Sequence, residues 1–585
     1  MSELPRFRPE VLREYALLAD GERGALIGPH GEIVWMCAPR WDSGAVFSTL
    51  IGGAGVYAVS PGDPWYVWGG YYEETTLIWN SRWMTSSGVI ECREALAFPA
   101  DPHTVVVLRR VRALEGPAEV RVCLDPRADF GRHGLGSLSR EGDVWTGGVG
   151  PLHLRWSGVE QARRVDGGLL TTLRVPPGST HDLVLELSDR PLSEHPVVAS
   201  HAWEATEHGW RSGVPALGRV VGERDAQHSY AVLRGLTSSV GGTVGSVTTS
   251  LPERAEAGRN YDYRYTWIRD QCYVGQAVAV DGPHPLLDDA VEFVTARLLD
   301  DGPELRPAYT VTGGRMPDMH RLPRVHGYPG GGNRVGNSVA EQFQLDVFGE
   351  ALLLLAAAAR QDRLDSRHRR AMEIAVNAIE RRWTEPDAGV WELAPARWAH
   401  SRLICAAGLR SFAAVEVTAA RAASLSSLAD ALVADTDRDC LHHSGRWQRR
   451  PDDPGVDAAL LLAAVRGAVP ASDPRSTATL RAVRDELTQD GYVYRFRHDQ
   501  RPLYEAEGAF LLCGFLTALA THQQGWETEA RAWFERNRAA CGPAGLYSEE
   551  YDVNQRQLRG NLPQAFVHAL MFETASGLAS PRAER

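Results

Sequence analysis

Lysine is absent from this chain of 585 residues, so all 62 strongly basic side chains are arginines. A P-loop NTPase and a protein kinase each need a lysine amine on phosphate, and a pyridoxal-phosphate enzyme needs one for its Schiff base, so the sequence excludes all three. Paired cysteines are lacking too. The eight (Cys37, Cys92, Cys123, Cys272, Cys405, Cys440, Cys513, Cys541) are scattered with no C-x-x-C among them, which signals neither a zinc site nor a disulfide framework. They read as buried small hydrophobes. No apolar run approaches the roughly 18 residues that a membrane-spanning helix needs. The opening MSELPRFRPEVLREYALLADGERG has neither a basic n-region nor an apolar h-region, so a cytoplasmic location is expected. A net charge of -12 with no basic cluster argues against nucleic acid or an anionic membrane as partner. The glycine-rich HGYPGGGNRVG (326–336) follows no clear strand and does not fit G-x-G-x-x-G, so it reads as a flexible loop and not a dinucleotide cradle.

What is present divides the chain by texture. From about residue 12 to 215, short apolar or alternating runs such as GEIVWMCA, HTVVVLRRVRAL, AEVRVCLDP and HDLVLELS are separated by Gly, Pro, Asp and Ser. That pattern predicts an antiparallel β-sandwich. From about residue 226 the period becomes helical, with about twelve segments of i, i+3, i+4 apolar spacing. Their expected spans include 338–360, 456–467, 507–522 and 562–578. Some, such as ALLLLAAAA (351–359) and GAFLLCGFLTALA (508–520), are apolar nearly all round and should be buried on two faces. The prediction is a sandwich over 1–215, a linker with the first barrel helix over 216–250, and a double-layered helical barrel over 251–585, with a pocket where loops meet at one end.

Residues 259–270, RNYDYRYTWIRD, are too polar for a core and too aromatic for a solvated loop. Aromatic faces stack on the C–H faces of a sugar while arginine and aspartate hydrogen-bond its hydroxyls. An interdomain seam, with Arg269 and Asp270 as a structural ion pair under an aromatic lid, explains the composition equally well. Two further segments favour the sugar: EPDAGVWE (385–392) and GLYSEEYDVNQRQLRGNLPQAF (545–566). Cleaving a glycosidic bond needs one protonated carboxyl for the leaving oxygen and one ionised carboxyl for water or the sugar. Glu392 follows a tryptophan that could desolvate it and keep it protonated, and Glu549 lies in a turn-rich loop before a helix.

Together RNYDYRYTWIRD, GVWE, and EEYD followed by GNLPQAF resemble glycoside hydrolase family 15, the glucoamylase and trehalase-like group. The N-terminal YALLADGERGALIGPHGEIVWMCAPRWDSGAVFSTLIGG (15–53) is similar to the opening strands of the family's bacterial β-sandwich. The resemblance implies an (α/α)6 barrel and an inverting, exo-acting mechanism on α-glucosidic bonds, with a small α-glucoside or oligosaccharide as substrate. It makes Glu392 the general acid and Glu549 the general base, with Glu550 as the neighbouring alternative. Arg269 and Asp270 would grip the non-reducing glucose beside Tyr263 and Trp267, with Trp391, Arg334 and Arg495 as further substrate contacts. No cofactor and no metal is implied, and homo-oligomerisation is left open.

The chain departs from the family's pattern on the leaving-group side. Trehalase-like members usually carry an arginine shortly after the acid, whereas this chain reads WELAPARWAHSR, with Arg397 as the one candidate to compensate; an S-R-P-x-R pattern is reduced to GGGNR, keeping only Arg334. The leaving sugar is therefore open, since polar contacts discriminate strongly. Two other classes remain: a phosphorylase of the same architecture, against which an intact base argues, and a sugar-binding protein that has lost activity. His442 and His443 read as loop residues without a second ligand cluster, and His568 as a helix-packing residue or a pocket border.

Overall fold

The computed structural model describes residues 3–254, 259–498 and 501–580. Its N-terminal part is the expected sandwich, two eight-stranded antiparallel sheets. One sheet runs Ala16–Ala19, Gly24–Ile27, Glu32–Cys37, Val56–Pro61, Ala118–Asp125, Gly168–Val175, Arg163–Val165, with Ala45–Phe47 beside Glu32–Cys37. The other runs Leu135–Glu141, Val144–Val149, Leu152–Ser157, Thr180–Ser188, Thr104–Glu115, Gly88–Leu96, Trp79–Thr85, Tyr66–Tyr72. Period-two alternation buries Val105, Val107, Val111 and Ala113 of one central strand. Arg109 shares that inward register. It is fully buried, 2.9 Å from Glu94 directly opposite on the neighbouring strand, with its guanidinium over the Tyr57 ring.

After the connecting helix Ala199–Gly213 come the twelve helical segments of the barrel. Six form a closed inner ring, each packed on the next: Ile268–Asp281, Asp346–Ala359, Ala399–Ala413, Leu462–Val465 with its 3-10 lead-in Ala458–Leu461, Leu511–Gln523, and Ala565–Ala579, which returns to the first. Glu223–Leu236, Pro285–Asp301, Ser366–Arg382, Ala419–Cys440, Pro474–Glu486 and Glu527–Arg538 form the outer layer. The inner helices are the all-round apolar ones, since they pack on neighbours, on outer helices and on the barrel axis.

Four expected inner helices start later than their apolar spacing suggests; that expected from 456 is a 3-10 turn over Ala458–Leu461 and α-helical only from Leu462, with Asp457 ahead of it holding the Trp391 N–H beside the cavity. The segment expected from 338 becomes helical at Asp346, because Asn337–Gln342 is drawn out into the pocket wall around a 3-10 turn. That expected from 507 starts at Leu511, because Ala509–Phe510 pairs as a strand with Glu550–Tyr551. That expected from 562 starts at Ala565. In each case residues ahead of an inner helix serve the cavity at the helical N-termini. The glycine-rich stretch is a loop that packs closely: a Cβ at Gly332 would lie 1.7 Å from Asn260 Oδ1.

RNYDYRYTW runs without helix along the seam of the two parts, and the closing IRD opens the inner helix Ile268–Asp281. Asp262 and Arg264 face the sandwich, where the buried guanidinium bonds to Asp262 at 2.7 and 2.9 Å and to the carbonyl of Ser43 at 2.9 Å. Tyr261, Tyr263 and Trp267 face the other way, into the barrel. The ion pair at the seam is thus Asp262 with Arg264, while Arg269 and Asp270, the pair expected there, line the cavity.

Candidate active site

A cavity of about 330 Å³ lies at the N-terminal ends of the inner helices, at the small end of the ~300–1,000 Å³ typical of small-molecule sites. Its lining comes from the starts of five of the six inner helices and the segments leading into them: Trp267, Arg269 and Asp270; Asn337 and Gln342; Val390 to Leu393; Arg495, His498 and Phe510; and Glu549, Gln564 and Phe566. Helix N-termini favour negative charge, and the carboxylates gather there.

The sequence-predicted pair is brought together. Trp267 Nε1 donates to Glu392 Oε1 at 2.8 Å, and Tyr263 Oη donates to Glu549 Oε1 at 3.3 Å. The Tyr263 and Trp267 rings meet edge to face at 5.3 Å, so one aromatic pair links the two carboxyls across the cavity. Burial raises the Glu392 carboxyl above its ordinary 4.5, against Arg269 at 3.8 Å and the Trp267 N–H, both of which favour ionisation. Burial, then the nearby Glu253, pushes Glu549 further up, with Arg495 opposing. Glu549 Oε2 is buried and has no hydrogen-bond partner among the described residues. Glu550 is turned away: its Oε2 accepts from the Gly508 N–H at 2.7 Å, and its backbone is locked between Phe510 and Arg559.

Arg269 and Asp270 form the floor, with Nε to Oδ1 at 2.8 Å, and the guanidinium also donates to the Val390 carbonyl at 2.6 Å. That second bond ties the floor to the segment that presents Glu392. Arg495 lies in the wall against Trp391 and Phe510, paired with Glu507 at 2.5 Å. Glu507 also receives Arg259 at 2.9 Å and His498 at 3.0 Å. Burial works to raise Glu507, but Arg495 and His498 outweigh it and hold it at about 2. Trp391 lines the cavity while its indole N–H is fixed on Asp457 at 2.9 Å.

Arg334 is not brought to the cavity. Its backbone carbonyl accepts from Thr249 and Ser250, its N–H donates to Ser250, and its strand partner is Arg321, so it sits in the loop framework behind the wall. Arg397 is equally displaced, its guanidinium held by Asp435 and Asp439 on the outer helix Ala419–Cys440. His568 is fully buried between Ser229 and the Tyr547 N–H, a packing residue. His442 pairs with Ser444 in its loop.

Sequence reasoning missed Glu253, His498, Gln342, Gln564 and Phe566 as lining residues. Gln564 and Phe566 were inside a quoted motif, and their place just ahead of an apolar helix was the available signal; Glu253 had none. Also unforeseen is a polar layer beneath the floor. Asp346 is buried with neither carboxyl oxygen partnered, Glu350 has one oxygen on Gln276 at 2.7 Å and one free, and neither ring nitrogen of His400 is partnered, all among the described residues. Burial pushes Asp346 up to about 8 and His400 down to about 3.

Sequence comparison agrees with this geometry. Residues 228–576 match the model of glycosyl hydrolases family 15, and residues 8–210 match that of the trehalase-like N-terminal domain. The chain is 29% identical to a trehalase of Mycolicibacterium smegmatis, covering 96% of this chain and 90% of that one. It is 25% identical to trehalase 1 of Sulfolobus acidocaldarius, covering 97% and 100%. Among solved structures, a bacterial glucoamylase complexed with acarbose shares the fold with a TM-score of 0.73 over 99% of this chain and 96% of that one, at 14% identity. With both parts of the chain matched and two carboxyls facing one cavity in the barrel, the protein belongs to family 15 of the glycosyl hydrolases and is a glycoside hydrolase.

Proposed function

We propose that the protein is an exo-acting, inverting α-glucoside hydrolase whose substrate is a small gluco-disaccharide of the trehalose type. The observation that carries this reading is the contrast between the two carboxyls. Glu392 lines the cavity and is fixed in orientation by the Trp267 N–H on one oxygen, which leaves the other oxygen to carry a proton toward the departing group. Glu549 has one oxygen held by Tyr263 and its other oxygen buried without a partner among the described residues, so it keeps the acceptor capacity that a base needs. In the single displacement, the water oxygen attacks the anomeric carbon from the face opposite the leaving group and passes a proton to Glu549. The C–O bond breaks as Glu392 gives its proton to the departing oxygen.

The floor supports exo action. Trp267, Asp270 and Tyr273 are 2%, 2% and 1% exposed, so the inner end is closed and admits a chain end, not a chain interior. The cavity size suits a disaccharide, and the curated relatives carry the name trehalase. Glu253, Glu392 and Glu549 share one buried site and disfavour one another's ionisation; burial raises Glu549 further than Glu392, so the acid and base are assigned by their places in the family's pattern and not by pKa order.

The test is glucose release from trehalose, kojibiose, nigerose, maltose, isomaltose and longer α-glucans, with the anomers followed by proton NMR. Inversion of trehalose gives one β-glucose and one α-glucose per event. Fresh product that is α-glucose alone would refute inversion, and internal cleavage of a long glucan would refute the closed floor.

A further inference from the structure

The cavity holds a third carboxyl that the reaction above does not use. Glu253 lines it and is 5% exposed, yet its carboxyl makes no hydrogen bond and no ion pair with any described residue. Every acid around it is engaged: Glu507 by two arginines and a histidine, Asp270 by Arg269, Glu392 by Trp267, Glu550 by a backbone N–H. Its position is set by backbone. The Glu253 N–H donates to the Arg259 carbonyl, and the preceding Pro252 carbonyl accepts from the Gly560 N–H at 2.8 Å. At Gly560 the side chains of Glu253 and Glu549 converge, since a Cβ there would meet Glu549 Oε2 at 3.6 Å and Glu253 Cγ at 3.7 Å.

Exposure orders the cavity from floor to mouth. Against the closed floor of Trp267, Asp270 and Tyr273, Tyr261 is 38% exposed and the side chains of Arg259 and His498 are 28% and 17% exposed. Glu253 adjoins Glu549 at Gly560 on one side and is bonded through its N–H to Arg259 of the mouth on the other, so it lies between the base and the mouth, where the departing sugar lies if the retained glucosyl ring occupies the floor. Arg259 and His498 are fixed beside it through their shared anchor on Glu507, and Tyr261 extends the aromatic wall, stacked on Tyr263 with 11° between ring planes. A buried carboxyl without donors is costly, and a ring with neighbouring hydroxyls supplies two O–H donors that would satisfy it.

Resting on the hydrolase reading, we propose that Glu253, flanked by Arg259 and His498, forms the binding site for the leaving sugar. Glu253 is then a specificity residue that selects hydroxyl-bearing leaving groups. An aglycone without donors leaves it unpaired and is rejected, as sites built to bond a hydroxyl reject analogues lacking one. This places leaving-group recognition on Glu253, Arg259, Tyr261 and His498, and not on Arg334 or Arg397, whose side chains stand outside the cavity.

The experiment compares Glu253→Gln with the parent enzyme on trehalose and on α-glucosyl fluoride, which share the glucosyl ring and differ in having or lacking a leaving sugar. The ratio of kcat/KM for trehalose to that for the fluoride should fall by about 30-fold or more. Fluoride turnover itself reports that the variant is folded. An equal loss on both substrates would place Glu253 on the glucosyl ring or the base and overturn the proposal, as would an unchanged ratio. If the parent releases glucose from neither substrate, the hydrolase reading fails by itself. Calorimetric binding then decides the inference separately: Glu253→Gln should weaken trehalose at least about tenfold relative to glucose, and equal weakening would overturn it.

Discussion

Replacing Asp387 with asparagine should uncouple the acid from its support. Asp387 is fully buried under the segment that presents Glu392. Its Oδ1 accepts from the Gly389 N–H at 2.9 Å and Ser401 Oγ at 2.8 Å, and its Oδ2 from Arg402 at 2.9 Å. Arg402 in turn donates to the Glu385 carbonyl at 2.6 Å, and Asp387 and Ala396 exchange two backbone bonds of 2.9 Å, closing the segment into a loop. Glu392 sits on this loop at φ +56°, a left-handed conformation that costs a side-chain-bearing residue about 1–2 kcal/mol. The loop must therefore hold it there. An asparagine that keeps Oδ1 on Gly389 and Ser401 turns its NH2 toward Arg402, donor against donor, and leaves a buried guanidinium without a counter-charge.

Breaking a buried pair from one side costs about 3–5 kcal/mol, whereas replacing both partners with apolar groups is often neutral. Asp387→Asn should thus lose about that much stability in urea denaturation followed by tryptophan fluorescence, and Asp387→Asn combined with Arg402→Met should recover at least half of it. Turnover should separate from stability. In both variants kcat on trehalose falls by roughly 10- to 100-fold because the acid is no longer held, while α-glucosyl fluoride, whose leaving group needs no proton, is affected less. A single variant that loses under about 1 kcal/mol, or a double variant less stable than the single, would refute the account of the pair.

Glu392→Gln should lower kcat on trehalose by roughly 10²–10⁴ and spare α-glucosyl fluoride by comparison; equal losses would remove Glu392 from the acid role. Asp270→Asn releases Arg269 from the floor and should depress kcat/KM for every disaccharide alike, and an effect confined to one linkage would contradict the floor assignment. For Asp346, folded at about 8 against an ordinary 3.8, the fold keeps the proton while the unfolded chain loses it, so its contribution to stability falls as pH rises through that window. Asp346→Asn should match the parent near pH 4 and gain on it up to pH 8, by at most about 1.4 kcal/mol per pH unit; a flat difference in denaturation midpoint would refute the burial argument.

The motifs that could be read in the sequence carry their chemistry in consecutive residues. RNYDYRYTWIRD shows its aromatics and charges in one string, although no spacing rule says that Asp262 and Arg264 turn to the sandwich while Tyr263 and Trp267 turn to the cavity. That division comes from Ser246 and Gly245, whose N–H groups bond the Tyr263 and Tyr265 carbonyls and set the register. Arg109 and Glu94 hid for a related reason: each lies in an otherwise apolar strand, and only the cross-strand register shows that they neutralise one another. Glu253 was invisible because SLPER has the composition of any surface turn. Its place depends on Gly560, far along the chain, whose left-handed φ of +80° and N–H on the Pro252 carbonyl bring the two carboxyl-bearing segments together. Arg334 failed in the opposite direction, since a matching letter in a motif carries no information about which way a loop has turned.

The same contrast separates how the floor and the mouth are held. Floor residues are fixed by helix starts: Arg269 and Asp270 open the inner helix Ile268–Asp281, and Phe566 opens Ala565–Ala579, so moving them means moving the barrel. Mouth residues hang on loops and are fixed by one another. Arg259, Arg495 and His498 all converge on Glu507, a single buried carboxylate that sets three donors at once. A change to any of the three leaves the others anchored, so the leaving-group side can alter its hydroxyl contacts one residue at a time while the acid, the base and the glucosyl floor stay in place.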